Sequence, residues 1–149
     1  MADTIQFGNR YEMYASVTAP ADPTDPTDYQ LVGEMRNLRL GTTRALSQAS
    51  SWESGTDRVA VAGGRTRTAS GQMYFAVDGN VGQDEIEDAI DSESSEIYVL
   101  LYPKAEGYKT RYGKLVLSSH TESYPTDDYV VVDFEGQFVT FTRGTRVDV

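Results

Sequence analysis

The stretch GRTRTASGQMYFAVD, residues 64–78, sets the terms for this chain. Met73, Phe75 and Val77 alternate with Gln72, Tyr74 and Ala76, the period of two that places successive side chains on opposite faces of an extended strand. Arg65 and Arg67 occupy the less apolar half of the same strand and, two apart, project from one sheet face or its rim. A strand so marked needs partners on both sides. The sequence supplies candidates at RYEMYASV (10–17), YQLVGEMRNLRL (29–40), RVAVA (58–62), EIYVLLYP (96–103), YKTRYGKLVLSS (108–119) and DYVVVDFEGQFVTFTR (128–143), all rich in β-branched and aromatic residues. In the second of these, Leu38 and Leu40 share one face and Arg39 takes the other. In the last, Val130, Val132 and Phe134 share a face, but the apolar phase moves by one near Gly136, where Val139 and Phe141 take over. A bulge, or a strand changing sheets, produces such a shift.

Only NVGQDEIEDAIDS (80–92) has a helical period. Ile86, Ala89 and Ile90 form a narrow apolar stripe, with Asp84, Glu85, Glu87, Asp88 and Asp91 around the rest. Asn80 and Gln83 have the spacing of a capping box, and early acidic residues favour the helix's positive end. Two segments fit neither period. PADPTDPTD (20–28) carries three prolines that fix φ and remove donors, which predicts an extended, water-facing acidic linker. GTTRALSQASSWESGTD (41–57) has only Leu46 and Trp52 among small polar residues and is expected to be a long loop, with Trp52 docked on the domain or on another subunit. The fold class expected is mainly β: a β-sandwich or barrel of two antiparallel sheets, one flanking α-helix at about 82–91, and the loop at about 41–57.

The 149 residues suit a single domain, 1–149, with an N-terminal arm at 1–9 and a C-terminal segment at 144–149. With no cysteine, disulfides, thiolate metal sites and cysteine nucleophiles are excluded, and a lone His120 leaves a histidine cluster without partners. His120 is read as an exposed turn residue. Asp22, Asp25 and Asp28 lack the spacing of a calcium loop, and pairs such as Glu87-Asp88 and Asp127-Asp128 read as solvated surface. No G-x-S-x-G elbow, P-loop or dinucleotide fingerprint occurs, and Ser70 has no His-Asp partner set. No catalytic residue, metal ligand or cofactor is therefore expected. The formal net charge of −10 disfavours nucleic-acid binding, including phosphate capture by Arg65 and Arg67 and base stacking on the ten tyrosines. MADTIQFGNR is not a signal peptide, and no apolar run approaches a membrane span. The expectation is of a protein without membrane binding.

Taken together, YQLVGEMRNLRL leading into a long polar loop, then RVAVAGGRTRTASGQMYFAVDGN, the helix GQDEIEDAID, IYVLLYP and DYVVVDFEGQFVTFTR, the chain resembles the major tail tube proteins of long-tailed bacteriophages. That fold family includes the type VI secretion tube protein. SGQMYFAVDGN (70–80) looks like the strand that precedes the helix in these proteins, although Ala69 stands where relatives carry an aromatic. The resemblance implies a non-enzymatic virion protein of the phage tail, assembled in the host cytoplasm. It implies hexameric rings stacked into a tube, with DNA only as transient cargo. The implied partners are further copies of the chain and other tail proteins such as the tape measure, tail terminator and distal tail proteins. It assigns Thr42, Arg44, Leu46, Trp52 and Asp57 to an inter-ring stacking loop, and Ile5, Phe7, Arg146 and Val147 to inter-subunit arms. The rival expectation is a β-sandwich module recognising a ligand or glycan through 20–28 and 41–57; an acidic-pocket glycosidase is a third.

Overall fold

A computed structural model describes residues 11–33, 35–49, 59–74, 81–126 and 130–147. They form β1 (Tyr11–Ser16), β2 (Gln30–Leu31), β3 (Met35–Ala49), β4 (Val59–Tyr74), α1 (Val81–Asp91), β5 (Glu96–Pro103), β6 (Lys109–Ser123) and β7 (Val131–Thr145). In place of two sheets there is one seven-stranded antiparallel sheet, ordered β2-β1-β5-β6-β7-β4-β3. The reason lies in β6 and β7, which are long enough to serve both halves. β5 pairs with residues 111–116 of β6, whereas β4 pairs with 131–137 of β7, which lie opposite 116–123. The two flanking groups of strands are thus offset along a shared central pair, and the ladder never breaks into separate sheets.

The phase slip expected near Gly136 is a bulge. Lys114 faces Thr140 but Leu115 faces Phe138, so Val139 is the extra residue and is turned out to solvent at 61% exposure. Met73 of β4 and Val132 and Phe134 of β7 face inward as read, and they share one buried cluster with Met13 and Ala15 of β1, Ile97 and Val99 of β5, Leu115 and Leu117 of β6 and Ala69 of β4. Ile86 and Ala89 of α1 close it, with Ile90 beside them. Each such large side chain, fully buried, contributes about 1.5–3 kcal/mol. Phe75 and Val77 lie outside the described residues, as does Asn80 of the expected capping box.

The helix is held close. A Cβ added to Gly82 would meet the Leu31 carbonyl oxygen at 2.2 Å and the Val32 Cα at 2.6 Å, so only glycine permits this approach. Buried Gln83 donates through Nε2 to the carbonyls of Gly33 (2.9 Å) and Tyr74 (2.8 Å), tying α1 to the end of β4.

Two expectations change. Residues 20–28 are exposed or half-buried but not an extended linker: Asp22 and Asp25 each accept bonds from the backbone and hydroxyl of the threonine two residues on, and Pro26–Asp28 form a 3-10 turn. Such side-chain-to-backbone closure is what Asp does in turns. The folded segment lies against the sheet face away from the helix, where Ala19, Pro20 and Pro23 meet Tyr29, Tyr98 and Tyr112 around a space of about 170 Å³. Tyr29 is buried, its hydroxyl donating to the Pro23 carbonyl at 2.9 Å. The second correction concerns 41–49, expected to be loop. These residues continue β3, hydrogen-bonded to β4 over Gly41↔Thr68 to Ala49↔Val59. Apolar alternation is missing because residues 41–46 are exposed in the single chain, and pairing rather than burial makes the strand.

Two outcomes are expected. Gly82→Ala forces the helix from its seat and costs about 1–3 kcal/mol, lowering Tm by several degrees; an unchanged Tm in thermal denaturation would contradict the close approach. Burial, then the neighbouring Tyr112, Asp22 and Asp28, push the Tyr29 phenol up to about 12. The unfolded chain ionises near 10. The folded state therefore holds this proton more tightly, and its contribution to stability, intact below pH 10, is lost as pH rises towards 12. Urea titrations across that range should show a steeper decline for the wild type than for Tyr29→Phe; parallel curves would refute the assignment.

Candidate assembly surfaces

The two ends of the strand order are unequal. β2 is two residues long and blunt, whereas β3 runs for fifteen residues with no partner on its outer side among the described residues. A long free edge presents unpaired backbone donors and acceptors, a template for another strand. A second free margin lies on β6. Its pairing with β5 ends at Val116, and Leu117 donates to the Ser95 carbonyl at 2.8 Å, which leaves Ser118–Ser123, among the described residues, joined only to β7.

The distal part of the β3–β4 hairpin projects beyond the core. Thr42, Arg44 and Leu46 are exposed there, Leu46 at 68%. A bulge between Arg44 and Leu46 sits opposite Gly63 and Gly64, and Gly63 passes so near the Ala45 carbonyl that a Cβ would stand 3.0 Å from it. Trp52 and Asp57 of the expected stacking loop, and Ile5 and Phe7 of the expected arm, lie outside the described residues. Arg146 is anchored on its own chain: Nη1 donates to the Pro103 carbonyl at 2.8 Å, and the guanidinium lies 4.6 Å from the centre of the Tyr102 ring. Val147 beyond it is 71% exposed.

The two faces of the β3–β4–β7–β6 region differ in chemistry. Away from the helix, Arg39 of β3, Ser70 of β4, Glu135 of β7 and Ser119 of β6 line up in one row and Asn37, Gln72, Asp133 and Thr121 in the next. Several of them border a shallow, polar depression of about 270 Å³. On the helix side the core gives way, past Leu40 and Ala69, to arginine. Arg44 stands opposite Arg65, and Arg67 opposite Thr42. The Arg67 guanidinium lies 4.8 Å from the centre of the Phe141 ring and that of Arg143 5.7 Å from it, while Phe138 meets Phe141 edge-on at 5.0 Å. Arg67 is half-buried, and its Nε is shielded and without a hydrogen-bond partner among the described residues. Loss of hydration, then Arg65, Arg143 and Arg44, lower its pKa. The sequence placed Arg65 and Arg67 on one face; Arg143 and Phe141 join them across a bulge that only long-range register locates.

His120 corrects another expectation. It is half-buried within β6, opposite Phe134 and beneath the helix, and its nearest titratable neighbours are Glu87 and Glu122, ligand atoms of all three falling within 4.8 Å. Loss of hydration, then Glu122, raises the Glu87 pKa, and Tyr124 donates to Glu122.

No protein-family model and no curated protein matches the sequence. Solved structures do match. The SPP1 tail tube aligns with a TM-score of 0.72 at 15% identity, over 95% of this chain and 80% of that one. The chain has the tail tube fold. A chain from the tail of an empty gene transfer agent particle with C6 symmetry aligns at TM-score 0.68 and 16% identity, over 96% of this chain and 100% of its own. One from the sheath–tube complex of an extracellular contractile injection system aligns at 0.62 and 10% identity, over 92% and 89%. Such low identities leave the tail tube fold as what is shared. The two loops that a ligand-binding module would use are otherwise employed here: 20–28 is folded onto the sheet, and 41–49 is strand.

Because Glu87 holds its proton more tightly folded than unfolded, it weighs against stability once pH rises above its folded pKa, and folding recovers as the group is protonated. Glu87→Gln should therefore raise Tm slightly at pH 7, with the gain vanishing below the ordinary glutamate range. A gain that persists unchanged at pH 3.5 would show another cause.

Proposed function

We propose that this protein is the structural subunit of a phage-type tail tube, forming hexameric rings that stack into a conduit for DNA. The observation that carries the reading is the pair of unequal sheet margins. The long edge of β3 in one copy adds to the Ser118–Ser123 margin of β6 in the next, so that each copy gives β3, β4, β7 and β6 to a closed barrel. The C6 symmetry of the gene transfer agent tail, a neighbour in fold, supports a six-fold ring.

In this barrel the polar face lines the passage. Rows of Ser, Thr, Asn and Gln with Asp133, Glu135 and a lone Arg39 offer phosphate no cationic track, and so deny passing DNA the counterion-release gain that retains it on a binding protein. The protruding hairpin, with Leu46 and the neighbouring Trp52 as apolar anchors, bridges successive rings, and Val147 with the N-terminal residues Ile5 and Phe7 provides further contacts. The role is mechanical, not enzymatic, and the site of action is the virion tail, following assembly in the host cytoplasm. Other tail proteins, such as the tape measure, tail terminator and distal tail proteins, are its proposed partners beyond its own copies.

Negative-stain microscopy at rising protein concentration is expected to show rings and then tubes. Persistent monomers at every concentration would overturn the reading. Leu46→Ser or Trp52→Ala should leave the monomer folded by circular dichroism but raise the concentration needed for tubes by about tenfold, the loss typical of one apolar interface anchor. Residues 42–46 should exchange amide hydrogens slowly in tubes and faster in monomers; equal exchange would remove them from the interface.

A further inference from the structure

Among the described residues, the arginines on the helix side of the protruding hairpin form no ion pair. Arg44, Arg65, Arg67 and Arg143 belong to a chain of formal net charge −10, yet the ion pair formed among the described residues is Lys114–Glu96, on the other face of the sheet. Two like charges directly opposite across an antiparallel pair, as Arg44 and Arg65 are, work against the hairpin. Around Phe138 and Phe141 they form a patch of cations and aromatic rings, the composition enriched at protein–protein contacts. The patch is an extension of the core face. It therefore lies on the opposite side of the sheet from the polar rows proposed to meet DNA.

The same chain carries a surface of matching sign and spacing. Asp84, Asp88 and Asp91 are exposed on α1 at intervals of four and three, which sets them along one side of the helix with neighbours about 5–6 Å apart. None of the three forms an ion pair among the described residues. Cross-strand arginines present their side chains at about 4.5–5.5 Å between Cβ atoms, a comparable pitch.

We infer that the Arg44–Arg65–Arg67–Arg143 patch of one copy docks on the Asp84–Asp88–Asp91 stripe of the α1 helix in another copy. The contact rests on the tube reading and gives it a polarity, since the hairpin of one subunit addresses the helix of a neighbour and the reverse face of the hairpin is left to the passage. It also releases the hairpin from its internal repulsion only upon assembly, which favours docked over free subunits.

The experiment is a charge exchange in the full chain, read by sedimentation and negative-stain microscopy. Arg65→Glu/Arg67→Glu and Asp84→Arg/Asp88→Arg should each keep the monomer's Tm and raise the threshold for tubes at least about tenfold, as reversed interface charges do. The quadruple variant should return to within about threefold of the wild type, since opposite charges face each other again. Reversed arginines that polymerise at the wild-type threshold would overturn the inference, and so would a quadruple variant that fails to recover while remaining folded. Binding of a double-stranded DNA fragment by the wild-type monomer, abolished by the arginine changes, would reassign the patch to nucleic acid. If the wild type itself forms no tubes, it is the tube reading that fails, and the charge exchange is then read on whatever oligomer light scattering detects, with an absence of any oligomer ending both.

Discussion

The long pairing of β6 with β7 is the constraint on which the rest of this structure depends. Lys109 to Ser123 and Val131 to Thr145 run beside each other almost end to end, and every other strand is placed by where along that ribbon it attaches. β5 and β1 join at one end through Arg111–Val116, and β4 and β3 join at the other through Val131–Gln137. Because the attachments are offset, each half of the sheet has a margin that nothing among the described residues covers. The same offset gathers side chains from both halves onto a single helix, whose Ile86 and Ala89 are almost completely buried. Closure of the core and openness of the edges thus have one cause.

Much of this was legible in the residues. Met73, Ile86, Ala89, Val132 and Phe134 were readable as core because their periodicity is a direct record of burial, and the phase slip near Gly136 was readable as a bulge or a change of sheet, which the register resolves as a bulge at Val139. Where burial is not the organising force, the sequence is silent. Thr42, Thr43 and Arg44 form strand through backbone pairing to Arg67, Thr66 and Arg65, and no solvent-exposed pattern betrays it. Prolines 20, 23 and 26 announce missing donors but not the tyrosines they rest on. Of the candidate site, Arg44 and Leu46 were named through the family resemblance, and the described structure sets them on the protruding hairpin. The union of Arg67 with Phe141 and Arg143 depends on register across two bulges and on contacts far apart in the chain, which no local pattern carries.

The two faces of the sheet divide the chemistry between them. One face is covered for much of its extent by the helix and ends in arginine and phenylalanine; the other bears hydroxyl, amide and carboxylate groups in rows. A chain with net negative charge has gathered four of its arginines, Arg44, Arg65, Arg67 and Arg143, on the side that an incoming protein surface could use. Sign segregation of this kind directs association, because the wrong approach brings carboxylate to carboxylate.

The folded proline segment over Tyr29, Tyr98 and Tyr112 has a consequence of its own. Without it, the sheet would show a broad aromatic flank away from its margins, and subunits could adhere there in any orientation. Roofed by turns that spend their own carboxylates on closing themselves, that flank offers newcomers little to hold. Non-specific adhesion on that flank is thus discouraged by a few prolines and aspartates.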